Sequence, residues 1–206
     1  MRDEGVIKFD CRFTAGPRVA VTGLDALIAL RNQLYCENLV GVYDDGIGFG
    51  NISIRIGDGE ATTKFVISAS QTGHISRADA SHFSLITAYS VAENWAACTG
   101  PLKASSESLT HAMIYDAFPD ANAVIHVHAA KLWTLLQGLV PTSSEDVPYG
   151  TPAMAYEVDR LKHDADLALH KIFVMAGHED GILSFGQNLQ AAHHTLLAAI
   201  NKWSVS

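Results

Sequence analysis

Two histidines one residue apart stand in an apolar segment, Ala123-Val124-Ile125-His126-Val127-His128, which has the composition of a buried strand. Successive side chains of a strand point to opposite faces, so His126 and His128 project from one face, about 7 Å apart along the strand. Neutral imidazole is a good ligand for zinc and its neighbours. A His-x-His pair is a short signal, and two half-buried strand histidines with backbone partners are the alternative interpretation. The spacing makes the pair a candidate for two ligands of a divalent-metal site.

A catalytic zinc commonly keeps three protein ligands and one open position. His178 directly follows the apolar run 172–176, at a corner where a side chain at a strand end can face an adjacent strand. We therefore predict His178 as the third ligand, with an exposed turn histidine as the alternative. The other contenders are Asp180, His111, His193 and His194. The last two are adjacent on a predicted helix and point in different directions, so at most one of them could join the site.

Glu107 lies at the start of a predicted helix that Ser105 and Ser106 are expected to cap. A carboxylate there complements the positive end of the helix dipole, which would by itself explain the residue. The functional interpretation is that a partly dehydrated carboxylate near a metal has a raised proton affinity and removes a proton from carbon beside a metal-bound carbonyl. His111, four residues on, either orients Glu107 or fills space, and the sequence leaves both open.

Three turns offer backbone N–H groups and hydroxyls that suit an oxyanion such as phosphate: Gly50-Asn51, Ser70-Gln71-Thr72-Gly73 and Ser105-Ser106. Each turn by itself is common in proteins and does not indicate an anion site, so only the three together favour phosphate binding. The candidate charge partners are Lys103, Arg55 and Arg77.

The composition is that of an ordinary globular protein. The 206 residues are 48% apolar and 17% charged, which is enough to bury a substantial core, and we predict a single domain over 1–206. A formal charge of -8 gives no broad attraction for nucleic acid or an anionic membrane surface. No stretch reaches the roughly 18 apolar residues of a membrane span. Three cysteines without CxxC spacing predict reduced thiols, and we expect a cytoplasmic protein without nucleic-acid or membrane partners.

The elements that must position these residues mix helices and strands throughout. Alternating and helical apolar periodicities predict strands at 52–56, 64–68, 87–91, 95–98, 123–127, 172–176 and 181–185, with the first two and the next two as antiparallel pairs. They predict helices at 24–34, 105–115, 131–136, 157–169 and 189–200. Strands in hairpins favour a mixed sheet covered by helices over a strict Rossmann winding.

The combined pattern resembles the class II aldolase/adducin family, which includes aldolases and epimerases of sugar phosphates as well as adducin. The resemblance is carried by Gly50-Asn51-Ile52-Ser53, Ile67 to Gly73, Gly100 to Glu107, Pro119 to Ala129 and His178 to Gly186. Ser-Ser-Glu followed by His-x-His is its specific part.

The resemblance implies an α/β fold, a three-layer αβα sandwich with a mixed, largely antiparallel central sheet, assembled as a homotetramer with active sites between subunits. It implies a divalent metal, Zn²⁺ or an ion such as Mn²⁺, on His126, His128 and His178, with Glu107 as the catalytic acid/base. It also places substrate phosphate on a set of five residues: Asn51, Thr72, Gly73, Ser105 and Ser106.

Two positions depart from the family pattern. Glu179 and Asp180 separate His178 from Gly181, where the family places its third histidine directly before the glycine, so Asp180 stays an alternative ligand. Ser70-Gln71 lengthens the turn before Thr72-Gly73.

The expected activity is that of a metal-dependent lyase. It would cleave a small sugar phosphate or sugar acid in a retro-aldol reaction through a metal-stabilised enediolate, with Glu107 transferring the proton. Epimerisation, dehydration or decarboxylation of a related substrate would use the same site. A non-catalytic, adducin-like scaffold domain is the alternative from a different class.

Overall fold

The structure is a computed structural model that describes residues 6–57 and 64–203. Its strands are β1 (Asp10–Ala15), β2 (Gly41–Val42), β3 (Gly48–Phe49), β4 (Asn51–Arg55), β5 (Phe65–Ser68), β6 (Phe83–Ser90), β7 (Trp95–Gly100), β8 (Ala123–His128), β9 (Ile172–Val174) and β10 (Gly181–Gly186). Its α-helices are α1 (Leu24–Cys36), α2 (Ser108–Ala117), α3 (Ala130–Leu136), α4 (Pro152–Asp164), α5 (Leu167–His170) and α6 (Leu189–Trp203).

Eight strands form one sheet in the order β1-β7-β6-β5-β4-β8-β10-β9, while β2 and β3 form a separate hairpin. Within the described residues β1 and β7 pair in parallel, and every other neighbouring pair of the large sheet is antiparallel. The sheet is therefore mixed and largely antiparallel, as predicted. Both expected hairpins, β4–β5 and β6–β7, are present.

Each face of the sheet packs against its own helices. On one face the apolar cluster includes Val124 of β8 with residues of α2 and α4. On the other, Ile125 and Val127 pack with residues of α1, α3 and α6. Two helical layers enclose the sheet, which confirms the three-layer αβα prediction. Because side chains alternate along a strand, His126 and His128 share the face of Val124 and point toward α2 and α4.

One predicted helix is two. The expected helix at 157–169 begins earlier, at Pro152, because the Thr151 hydroxyl accepts the Met154 N–H (3.3 Å) and proline fits the first helical position. It ends at Asp164, before Asp166 adopts a left-handed conformation (φ 52°) that no helix interior tolerates. The short α5 follows from Leu167.

The predicted capping of α2 by serines is wrong. The helix begins at Ser108, and the cap position is held by Glu107, whose side chain makes no capping hydrogen bond. The Ser105 hydroxyl instead accepts the Glu107 N–H at 3.2 Å, one turn before the helix.

The strands β1, β2 and β3 were not predicted. β1 lies at the sheet edge with alternately exposed and half-buried residues, and β2 and β3 have two residues each, so their patterns are too short or too weak to detect. No helix among the described residues is long and apolar enough to span a bilayer. The cysteines Cys11, Cys36 and Cys98 are all free thiols, as expected.

Candidate metal site

Three buried histidines converge at one end of the sheet. Side-chain nitrogens of His126, His128 and His178 all lie within 4.8 Å of one another. β8 supplies the first two, and a tight corner supplies the third, since Gly181 N donates to the His178 carbonyl at 2.9 Å. The Nε2 atoms of His128 and His178 are 2.8 Å apart. The structure thus brings together the three histidines that the sequence put forward.

Gly181 makes room for this cluster. It pairs with His128 across β8 and β10, directly beside the rings. A Cβ at this position would lie 2.4 Å from His178 Cδ2 and 3.2 Å from His126 Nε2. Any side chain would therefore displace the third histidine, which explains a glycine at the first position of β10. Sequence reasoning did not assign Gly181 a role, although a glycine just after the histidine corner was the available signal.

Burial keeps the imidazoles of His126 and His178 neutral. Loss of solvent lowers the pKa of His126 to about 3, and it lowers the pKa of His178 well below its ordinary value, with smaller contributions from His126 and the charge of Lys8. A neutral imidazole keeps the lone pair that a cation needs. His126 Nε2 is buried and has no hydrogen-bond partner in the described part of the chain, so it is an unsatisfied atom that a bound cation would satisfy. Three imidazoles with one such orphan fit a divalent metal.

Asn51 contacts His126 from β4. Its Nδ2 lies 3.2 Å from His126 Nδ1, while its own Oδ1 is buried and has no partner within residues 6–57 and 64–203. A half-turn of the carboxamide exchanges the two atoms, so that Oδ1 accepts the Nδ1–H proton and the lone pair remains on Nε2. That arrangement pairs Asn51 Oδ1 with the His126 ring and orients His126 for metal binding.

The other contenders lie elsewhere. Asp180 does not join the histidine cluster, because its carboxylate accepts from the Tyr43 hydroxyl at 3.3 Å. His111 Nδ1 is 2.7 Å from Ser53 Oγ, and it does not hold the Glu107 carboxylate by a hydrogen bond. His193 and His194 belong to α6, on the opposite face of the sheet.

Glu107 is a buried carboxyl group without a hydrogen-bond partner for either oxygen among the described residues. The side chain is 1% exposed. Burial raises its pKa to about 7, while the nearby Thr110 hydroxyl and the charge of Lys8 oppose that rise. A carboxyl poised near neutral pH is suited to proton transfer.

Tyr149 packs on the His178 ring at 4.4 Å between centroids. A Cβ at the next residue, Gly150, would lie 2.7 Å from the Ser106 carbonyl oxygen, so the segment that carries Glu107 packs beside the residues that contact the histidines.

The three predicted anion turns converge beside the histidines. β4 pairs Asn51 with His126, and the 70–73 turn joins the segment before α2 through the Ala69–Ala104 bridge. The Thr72 hydroxyl is occupied, since it donates to the Ala69 carbonyl at 2.8 Å. Ser105 Oγ accepts the Glu107 N–H and keeps its own proton for another acceptor. Ser105 is thus better placed than Thr72 to contact an anion through its side chain.

Gly73 fits its turn through close backbone contact. A Cβ here would lie 2.1 Å from the Gly41 carbonyl oxygen, so the turn packs directly on the β2–β3 hairpin. Any other residue would push the turn and the hairpin apart.

Arg31 of α1 stabilises the 72–75 turn by hydrogen bonds to its backbone carbonyls, and the sequence did not predict this role. Its side chain is fully buried in α1. It donates to the carbonyls of Thr72 (2.8 Å), Gly73 (3.5 Å) and Ile75. Among the described residues its guanidinium has no carboxylate partner, so its positive charge stays uncompensated next to the turn.

Of the three basic residues predicted as charge partners for an anion, one lies next to the 70–73 turn. Arg55 donates to the Tyr115 carbonyl and lies over that ring, away from the turns, and Arg77 is exposed. Lys103 lines a cleft of about 770 Å³ next to the 70–73 turn. The cleft is lined by Val6, Ile7, Gly46, Ile47, Gly48, Ser70, Gln71, His74, Leu102 and Lys103.

Comparisons with known proteins agree with this fold. The sequence model of the family described as Class II Aldolase and Adducin N-terminal domain matches residues 34–201. A search of curated proteins finds no match.

Solved structures share the architecture at low sequence identity. L-fuculose-1-phosphate aldolase from Thermus thermophilus is 17% identical, with 88% of this chain and 91% of that one covered and a TM-score of 0.62. The sugar-phosphate aldolase from Thermotoga maritima is 16% identical, with 88% and 92% covered and a TM-score of 0.66. YgbL from Escherichia coli, a putative aldolase/epimerase/decarboxylase, is 18% identical, with 88% and 87% covered and a TM-score of 0.62.

Proposed function

The chain belongs to the Class II Aldolase and Adducin N-terminal domain family, and on that premise we propose that it is a divalent-metal-dependent aldehyde-lyase of the aldolase type. Its substrate would be a small sugar phosphate or sugar acid. One observation carries the proposal: three buried histidines with converging nitrogens lie near a buried Glu107 carboxyl that has no hydrogen-bond partner among the described residues. A scaffold gains nothing from unsatisfied buried polar groups, which cost stability.

His126, His128 and His178 would hold the metal, and we propose Zn²⁺, with Mn²⁺ as the alternative. The bound ion would supply a Lewis acid that compensates negative charge on the substrate oxygens. The three rings are kept in place by β8 and by the corner at His178, so the chain preorganises the site.

Glu107 would move the proton. With a pKa of about 7, its carboxyl is divided between the two protonation states near neutral pH, so it can accept and return a proton. Its position before α2 lets it reach the metal-bound end of a substrate from the α2 face. The carboxyl would remove a proton from the substrate carbon that it faces, or return a proton to that carbon of the enediolate.

The turns would bind the anionic end of the substrate. We propose that Ser105 and Ser106 contribute hydroxyl groups, that Thr72 and Gly73 contribute backbone, and that Asn51 borders the anion while it orients His126. The buried charge of Arg31, behind the 72–75 turn, favours an anion in front of it.

Related reactions at the same site are the alternative to the lyase. YgbL from Escherichia coli, a putative aldolase/epimerase/decarboxylase, shares the fold, so the fold by itself does not choose among these reactions. An epimerase, dehydratase or decarboxylase would use the same histidines and Glu107 here. We further propose a cytoplasmic homotetramer, with neither nucleic acid nor membrane as a partner.

The test is turnover by protein loaded with Zn²⁺ or Mn²⁺ on a panel of ketose 1-phosphates and sugar acids, with products separated by chromatography and identified by mass. Release of an aldehyde supports the lyase, while a product of equal mass, loss of water or loss of CO₂ identifies one of the related reactions. Glu107→Gln should lower kcat by about 10²–10⁴. Glu93→Gln is the control, since Glu93 is exposed and its carboxylate accepts from the Trp95 ring N–H. Absence of any metal-dependent turnover, or full activity in Glu107→Gln, refutes the proposal, and absence of bound metal in addition favours the scaffold.

A further inference from the structure

A chain of hydrogen bonds leads away from the histidine cluster on the side opposite the Nε2 atoms. His128 Nδ1 lies 2.6 Å from the Tyr43 hydroxyl, and the same hydroxyl donates to Asp180 Oδ2 at 3.3 Å. The other nitrogen of the ring, Nε2, faces His178. His128 is therefore held at one nitrogen by Tyr43 and presents the second to the cluster.

Proton counting fixes the direction of this chain. The tyrosine hydroxyl carries one proton, and an ionised carboxylate can only accept. Both contacts are satisfied together when Tyr43 donates to Asp180 and accepts the proton on His128 Nδ1. A ring with its proton on Nδ1 has its lone pair on Nε2, and this is the atom that faces the cluster.

The fold fixes the Tyr43 hydroxyl in position. Tyr43 lies at the turn of the β2–β3 hairpin, where its N–H donates to the Ile47 carbonyl and its carbonyl accepts the Gly46 N–H, both at 2.9 Å. Its ring packs on Phe49 at 4.5 Å between centroids, and Phe49 packs on His128 at 5.2 Å. The hairpin thus contributes a rigid aromatic wall and a hydroxyl to a site whose histidines all belong to the large sheet and its corner.

Asp180 belongs to the corner that also carries His178. It adopts a left-handed conformation (φ 68°), two residues after His178 and directly before Gly181. One short segment thus supplies His178 to the cluster and also supplies Asp180, the acceptor at the end of the hydrogen bonds that start at His128. The two inserted residues that separate His178 from Gly181 make this arrangement available.

We propose that Tyr43 and Asp180 are positioning residues that fix His128 with its lone pair on Nε2 and strengthen the affinity of the site for a divalent cation. The inference rests on the proposed metal site. A carboxylate at the end of such a chain makes the imidazole a stronger donor, and removal of partners of this kind typically costs about 10- to 100-fold in metal affinity.

The test measures metal affinity without any substrate. Zn²⁺ is titrated into metal-free protein in competition with a chromophoric chelator, for the wild type, Tyr43→Phe, Asp180→Asn and the double variant. We expect Tyr43→Phe to weaken Zn²⁺ binding by about 10- to 100-fold. Asp180→Asn should weaken it less, and it should have no further effect in the Tyr43→Phe background, because its influence passes through the hydroxyl.

Co²⁺ offers a second readout. Its visible absorption reports the ligand field, and we expect Tyr43→Phe to shift the bands of the Co²⁺ protein, a change that a purely structural role far from the site would not cause. Tyr89→Phe and Asp116→Asn are matched controls, because Tyr89 donates to Asp116 at 2.5 Å elsewhere on the surface. Both controls should keep the wild-type affinity and spectrum.

Asp180→Asn protects the test against misfolding, because asparagine tolerates the left-handed conformation at this position. Affinity within twofold of the wild type in Tyr43→Phe overturns the inference. So does an Asp180→Asn effect of equal size with and without the tyrosine hydroxyl. If the wild type binds no Zn²⁺, the proposed function fails together with the inference; if it binds and the variants match it, the inference alone fails.

Discussion

Replacing Glu107 with glutamine should remove a pH dependence from the stability of the metal-free protein. The carboxyl is fully buried without a hydrogen bond among the described residues, and its pKa rises from an ordinary 4.5 to about 7. The unfolded chain releases this proton at lower pH than the folded protein. Folded protein therefore binds more protons between these values, and its stability falls as pH rises from about 4.5 to about 7, then levels off.

The size of the effect follows from the two pKa values. Each pKa unit corresponds to about 1.4 kcal/mol, so a rise from 4.5 to about 7 amounts to about 3 kcal/mol at pH 8. Glutamine has no charge to bury at any of these pH values. We expect the free energy of unfolding of Glu107→Gln, relative to that of the wild type, to increase by about 3 kcal/mol between pH 4.5 and 8.

The assay is urea unfolding in the presence of EDTA at several pH values, with wild type and variant compared at each. Contributions from the histidines are shared by both proteins and cancel in the difference. Glu157→Gln is the control, because hydrogen bonds from Arg160 lower the pKa of Glu157 below its ordinary 4.5. Its contribution to stability therefore changes only below about pH 4.5, and the difference between this variant and the wild type should stay constant from pH 5 to 8. A difference between wild type and Glu107→Gln that stays constant from pH 5 to 8 would show that Glu107 is not desolvated as described.

Three further outcomes are expected. Gly181→Ala should abolish stoichiometric Zn²⁺ binding, measured by metal analysis after dialysis, because the new methyl group would meet the His178 ring at 2.4 Å; one equivalent of bound Zn²⁺ would contradict this. Arg31→Lys should lower the free energy of unfolding by about 1–3 kcal/mol in urea, because one ammonium cannot serve the carbonyls of Thr72 and its neighbours, whereas the exposed Arg77→Lys should be neutral. Zn²⁺ at a hundred times its Kd should stabilise the wild type by about 2.7 kcal/mol, and EDTA should reverse this; an unchanged unfolding midpoint would argue against a native metal site.

The sequence predicted the sheet strands well where periodicity was strong. The β8 strand, its partner β10 and the two hairpins were predicted because apolar residues alternate or run continuously there between turn-forming residues. The helix boundaries near Asp166 and Ser108 were missed, because they depend on backbone conformations and caps that compete with a continuous helical pattern. The extent of the domain over 1–206, the cytoplasmic location and the tetramer stay predictions.

The sequence alone determined that His126 and His128 share a face, since strand geometry places residues i and i+2 on the same side whatever surrounds them. Only the tertiary structure showed that His178, and not Asp180, lies in the histidine cluster, because that depends on how the corner before β10 turns toward β8. It likewise brought Tyr43 and Arg31 to the site from the β2–β3 hairpin and from α1. Contacts between residues so distant in sequence are set by sheet order and by the packing of both faces, and no local pattern records them.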